Sequence, residues 1–139
     1  MKDLIANIFE LWGQCYFGDF SKYMYKADLY GEVALYALLL PLIVFFIYYK
    51  PLDHIKLAKT SIWLSILFVV SLLTAFLAYN TADAKIDDYL KLHKIVKTNI
   101  LPIDYFWFSF IVFIYTAFLS FVYSIIFKYG ASKTRRIPF

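Results

Sequence analysis

An all-α integral membrane protein with three transmembrane helices is what this chain predicts, and three observations predict it. Three apolar blocks, Tyr30–Tyr49, Ser61–Tyr79 and Tyr105–Phe127, occupy much of its 139 residues. Hydrophobic residues make up 63% and the mean hydropathy is +0.66, too apolar for an ordinary soluble fold. Aromatic residues reach 22% and gather near the block ends.

Each block matches a bilayer. About 20 residues at about 1.5 Å rise cross a hydrocarbon core about 30 Å thick. In lipid an unpaired amide finds no water, so the blocks must be helices. Tyr30, Tyr48, Tyr49, Trp63, Tyr79, Tyr105, Trp107 and Tyr129 are placed for the two interfacial belts, where a ring has one dry end and one wet end.

Residues 1–29 form an amphipathic N-terminal segment with no secretory signal pattern. At about 100° per residue, Leu4, Ile5, Ile8, Phe9, Leu11 and Trp12 share one arc, and Asp3, Asn7, Glu10 and Gln14 the other. The spacing predicts a helix over 3–17, ended by Gly18. It lies flat in the interface or packs on protein. The polar face is acidic and neutral, which adds weight to protein packing, but the lipid-lying reading is preferred.

Residues 30–127 form the three-span domain. Pro41 falls inside span one, removes the bond to the Ala37 carbonyl and predicts a bend. Residues 50–60 join spans one and two as an antiparallel hairpin. Between spans two and three, Ile86, Tyr89, Leu90, Leu92, His93 and Val96 oppose Asp87, Asp88, Lys91 and Lys94. This pattern predicts a second amphipathic, interfacial helix over about 83–97, terminated by Leu101-Pro102. Residues 128–139 are a basic tail with Lys128, Lys133, Arg135 and Arg136, read as a topology anchor or a docking tag.

Three spans put the termini on opposite sides. Each side then holds seven Lys and Arg residues, so the positive-inside count ties. Charge density tips it to an outside N-terminus and a cytoplasmic C-terminus.

Chemistry-bearing constellations are sparse. The two histidines, His54 and His93, fall on opposite faces of the membrane, and Cys15 stands alone. No histidine or lysine lies at membrane depth to activate a serine. Glu32, near the start of span one, is the ionisable residue closest to the hydrocarbon. Neither cofactor, metal, small-molecule substrate nor nucleic acid is indicated, and an enzyme is the least favoured class.

A hydroxyl stripe on span three stands out. Ser109, Thr116 and Ser120 fall within about 40° of one another, with Ser124 beside them. Ser71, Ala75 and Ala78 offer a small face on span two. Small and hydroxyl residues let helices approach closely and bond across the contact. The same stripe could line a pore in an oligomer, and helix packing is the commoner use.

The expectation is a non-catalytic membrane subunit that anchors or scaffolds a larger homo- or hetero-oligomeric complex, with the bilayer and other membrane proteins as partners. The alternative is an oligomeric channel or membrane-disrupting effector of a bacterial defence or toxin system. Abundant Lys, Ile, Phe and Tyr point to a low-GC bacterium or its phage, hence an inner membrane. The span order and the terminal Ile137-Pro138-Phe139 resemble small membrane proteins of Bacteroidota, which implies envelope-spanning secretion machinery and carries over no site.

Overall fold

A computed structural model describes residues 2–50, 59–95 and 99–129. Among the described residues 83% are helical and none lies in a strand. The helices are α1 (Lys2–Phe9), α2 (Asp19–Lys26), α3 (Leu29–Tyr49), α4 (Thr60–Leu92) and α5 (Pro102–Lys128). Three of them, α3, α4 and α5, are long and apolar enough to cross a membrane.

The N-terminal segment departs from the single helix expected over 3–17. It is two short helices. α1 stops at Phe9 because the chain turns left-handed, with φ of 48° at Leu11, 55° at Trp12 and 87° at Gly13. The turn is closed by Trp12 N–H donating to the Asn7 carbonyl at 2.8 Å and Cys15 N–H to that of Glu10 at 2.9 Å. Gly18 ends no helix. It caps the start of α2 with φ 56° and ψ −119°, a conformation open to glycine and costly for any side chain. Asp19 in the first turn and Lys26 in the last suit the dipole of α2.

α3 runs unbroken through Pro41, which is buried. α4 carries the larger correction. No separate helix begins near residue 83: the span continues without a break for 33 residues, to Leu92. The physical reason is the absence of any stop signal. Residues 80–92 contain neither Pro nor Gly, and Asn80 folds its side-chain amide back to the Phe76 carbonyl at 2.9 Å. The helix ends where Lys94 turns to φ 52° and Ile95 N–H reaches the Leu90 carbonyl. Residues 96–97 of the expected helix lie outside the described residues. Pro102 starts α5 instead of ending a helix before it, as a first-turn proline can. The Asp104 carboxylate accepts from Leu101 N–H at 2.9 Å beside it.

The chain divides into two compact units. One is Met1–Tyr36 with Ala75–Val112, the other Ala37–Thr74 with Phe113–Phe139. The core of the first is aromatic, with Phe108 at its centre. The Phe108 ring lies 6.0 Å from Phe9, 5.5 Å from Phe20 and 6.0 Å from Tyr30. These contacts hold α1 and α2 to the ends of α3 and α5, and each pair adds about 0.5–1.5 kcal/mol beyond area burial. The core of the second unit is Phe45, Tyr48, Tyr49 and Trp63, flanked by Ile62, Ile66, Leu67 and Phe121.

Along the long helices the usual polarity is reversed. Only 28%, 33% and 28% of the most apolar stretches of α3, α4 and α5 are buried, so most of their apolar surface faces outward. Leu35, Ile43, Phe68, Phe76, Ile114 and Phe118 are all exposed. Ser71, Thr74, Ser109, Thr116, Ser120 and Ser124 are all buried. Such a surface is suited to hydrocarbon and not to water.

Candidate functional site

The hydroxyl stripe of span three is buried at every position. Thr116, Ser120 and Ser124 are fully inaccessible and Ser109 is 7% exposed. On span two, Ser71 and Ala78 are fully inaccessible and Ala75 is 9% exposed. What these hydroxyls do differs from residue to residue.

In the second unit Ser124 joins three helices. Trp63 Nε1–H on α4 donates to Ser124 Oγ at 2.8 Å, and the Tyr49 hydroxyl on α3 lies 2.6 Å from the same atom. One hydroxyl has a proton and two lone pairs, so it can serve both neighbours at once. Ser71 and Thr74 instead turn back on their own helix, each donating at 2.8 Å, to the carbonyls of Leu67 and Val70. Thr116 Oγ1 and Ser120 Oγ are buried with no hydrogen-bond partner among the described residues.

In the first unit Ser109 donates to its own helix at the Tyr105 carbonyl, 2.8 Å away. The polar chemistry here lies on and just after α1. Asp3 in α1 and Glu10 in the turn that follows it accept from phenols on neighbouring helices: Tyr25 donates to Asp3 and Tyr30 to Glu10, both at 2.5 Å. Asp3, Glu10 and Tyr25 border a cavity of about 340 Å³ that Asn7, Ser21 and Lys22 also line. Asp3 takes the hydrogen bond of Tyr25 and repels its phenolate, so the Tyr25 phenol is raised above its usual 10.0. The expected apolar arc of the N-terminal helix is split. Phe9 is buried, while Leu4 and Trp12 stand 64% and 76% exposed.

Glu32 is not isolated. Its carboxylate receives two hydrogen bonds from Lys85 Nζ on α4, and both side chains keep substantial solvent access. His93 is exposed, stacks on Tyr89 at 4.1 Å and places Nδ1 2.9 Å from the Tyr89 carbonyl. Among the described residues no three His, Cys, Asp or Glu side chains gather as metal ligands would. Lys128 closes α5 and stands 6.0 Å from the Tyr129 ring. The remaining tail residues Lys133, Arg135 and Arg136, like His54, lie outside the described residues.

Most of the rings expected in the interfacial belts are turned into the protein. Tyr30, Tyr48, Tyr49, Trp63 and Tyr105 are each less than 9% exposed, whereas Trp107 and Tyr129 are exposed. Tyr30, Tyr49 and Trp63 find protein partners for their polar ends, which removes the need for interfacial water. The signal that could have found this was a hydroxyl on one span opposite a ring with a polar tip on another.

A search of family models, of curated proteins and of solved structures finds no match to this chain.

Proposed function

We propose that this chain is an integral membrane subunit without catalytic work of its own, which anchors or scaffolds a larger complex. The observation that carries the reading is the reversed polarity of α3, α4 and α5: hydroxyls inward, large apolar side chains outward. A helix set of that kind is soluble in lipid and dissolves poorly in water. Assembly follows from the number of spans: three helices leave little room for a solute path of their own.

The membrane is a bacterial inner membrane, with the N-terminus outside and the basic tail in the cytoplasm. α1 and the charged end of α4 sit at the interface as amphipathic elements. Leu4, Leu11 and Trp12, exposed on and just after α1, supply the apolar contact there, with lipid headgroups or with a neighbouring chain. Secretion-type envelope machinery is the kind of complex this placement suits.

Burial weighs against the channel alternative. A pore built on Ser109, Thr116, Ser120 and Ser124 needs those hydroxyls facing water between copies, and all four face the interior of one chain.

The test is the mass of the native assembly, extracted into polymer nanodiscs with its co-purifying proteins identified. Stoichiometric other chains, or a homogeneous homo-oligomer without bilayer conductance, are expected. A conducting homo-oligomer whose current is blocked by Thr116→Trp with assembly intact would replace the scaffold with a channel.

A further inference from the structure

We propose that the first unit carries a binding site for a small zwitterion in the cavity between α1 and α2. The ligand is an aminoethyl phosphate, a primary ammonium and a phosphate two carbons apart. It comes free or as the headgroup of phosphatidylethanolamine. Every residue lining the cavity falls between Asp3 and Lys26. Only the lipid form of the ligand rests on the bilayer placement proposed above.

The cavity has sides of opposite charge. Asp3, Asn7 and Glu10 line it from α1 and the turn after it, spaced by four and three positions on one helical face. Lys22 and Lys26 line it from α2, one turn apart. These charges have not closed on one another. Among the described residues the Lys22 ammonium meets the Tyr23 ring at 6.0 Å, and the ion pairs are Lys85 with Glu32 and Lys91 with Asp87. Packing fixes both sides. Phe9 of α1 and Phe20 of α2 rest on the same Phe108 ring. Ser21, a lining residue only 1% exposed, accepts from Phe17 N–H at 3.0 Å and ties α2 to the turn before it. The space left, about 340 Å³, is at the small end of the range for small-molecule sites, about 300–1,000 Å³.

Charge selects the kind of occupant. Two carboxylates and two ammoniums line the cavity, so the lining charge balances. An ion of one sign is repelled by one side as it is drawn to the other. A molecule that carries both signs satisfies both.

Hydrogen bonding selects its cation. Tyr25 holds Asp3 Oδ1 and Tyr30 holds Glu10 Oε1. Those bonds orient the carboxylates in advance and leave Oδ2 and Oε2 with their lone pairs. Asn7, one turn from each, adds an amide oxygen. A primary ammonium brings three N–H donors to such a side, and a trimethylammonium brings none.

Spacing selects its anion. Residues four apart on a helix hold their Cβ atoms about 5–6 Å apart. The several oxygens of a phosphate can meet Lys22 and Lys26 together, each acting as a point charge.

The experiment titrates the full chain, in a neutral maltoside detergent, with O-phosphoethanolamine by calorimetry. Saturable binding is expected, with phosphocholine at least about tenfold weaker. Asp3→Asn with Glu10→Gln keeps an oxygen for each phenol, and Lys22→Gln with Lys26→Gln changes two exposed positions. Each double variant should hold its circular dichroism and weaken binding about tenfold or more. If the carboxylate pair does not fold, the lysine pair decides. A second arm embeds the chain in nanodiscs of equal phosphatidylethanolamine and phosphatidylcholine and counts retained lipid by native mass spectrometry. Preferential retention of phosphatidylethanolamine, lost in the lysine variant, upholds the site with the headgroup as its source. Binding of the free probe without that retention upholds it for a soluble zwitterion. Equal affinity for phosphocholine, wild-type affinity in a folded double variant, or no preference in either arm overturns the inference. A chain that does not enter nanodiscs overturns the bilayer reading instead, and the free probe still decides the site.

Discussion

Trp63 and Ser124 meet at 2.8 Å, indole Nε1–H to hydroxyl oxygen, and the Tyr49 hydroxyl closes on the same Ser124 atom at 2.6 Å. An indole can only donate, so in an apolar setting it depends on finding an acceptor. Ser124 is the acceptor this structure provides. Thr116 and Ser120, on the same stripe, provide nothing of the kind to any neighbour among the described residues.

The contrast gives opposite signs on removing a hydroxyl. Ser124→Ala leaves a buried indole N–H without its acceptor and takes one hydrogen bond from Tyr49, and should cost about 1–2 kcal/mol. Thr116→Val deletes an oxygen that already lacks one and should stabilise by about 1 kcal/mol. Denaturation of the purified protein by graded SDS in mixed micelles measures both. Equal losses from the two variants would mean that Thr116 has a partner after all.

Gly18 sets the entry to α2 with a positive φ and a strongly negative ψ. The space around it is open, so Gly18→Ala meets no neighbour and reports the backbone alone. We expect a loss of about 1–2 kcal/mol, seen as faster proteolysis within residues 10–18 while the long helices keep their dichroism.

The Tyr25–Asp3 contact should respond to alkali. The folded phenol is raised above its ordinary value because Asp3 accepts its proton bond and repels its anion. A raised value means that the contact is fully formed below about pH 10. It is lost as the pH climbs through the higher, folded value. Ultraviolet titration of tyrosinate should therefore lose one late-ionising group in Tyr25→Phe, and that group should ionise earlier in Asp3→Asn.

The Glu32–Lys85 pair is expected to matter little for stability. Both side chains stay wet, with 39% and 45% of their surfaces exposed, and a pair of that kind contributes at most about 1 kcal/mol. Lys85→Met should lower stability within that bound, with a salt dependence smaller than in wild type.

The three long helices were legible because apolar length is read directly against bilayer thickness. Their inward hydroxyls were legible as a stripe, since 3.6-residue periodicity places Ser109, Thr116, Ser120 and Ser124 together without any tertiary knowledge. The partners were not. Tyr49 and Trp63 look like belt residues in sequence, and only the packing of α3 and α4 turns them onto Ser124. The N-terminal break was hidden for a different reason. Leu11 and Trp12 take left-handed backbone values that non-glycine residues seldom adopt, so hydrophobic spacing carried the expected helix straight through them. The continuity of α4 past Tyr79 was hidden too, because only the structure shows Asn80 bonding back to the Phe76 carbonyl.

The continuity of α4 also limits how the chain can change length. A loop between Tyr79 and Asp83 would absorb one inserted residue without consequence. In an unbroken helix the same insertion rotates everything beyond it by about 100°. Ile86, fully buried, would swing toward solvent, and Tyr89 would leave the Tyr23 ring 6.1 Å away. The span and its projecting turns therefore share a single angular phase. Steps of about seven residues, near two full turns, preserve it best.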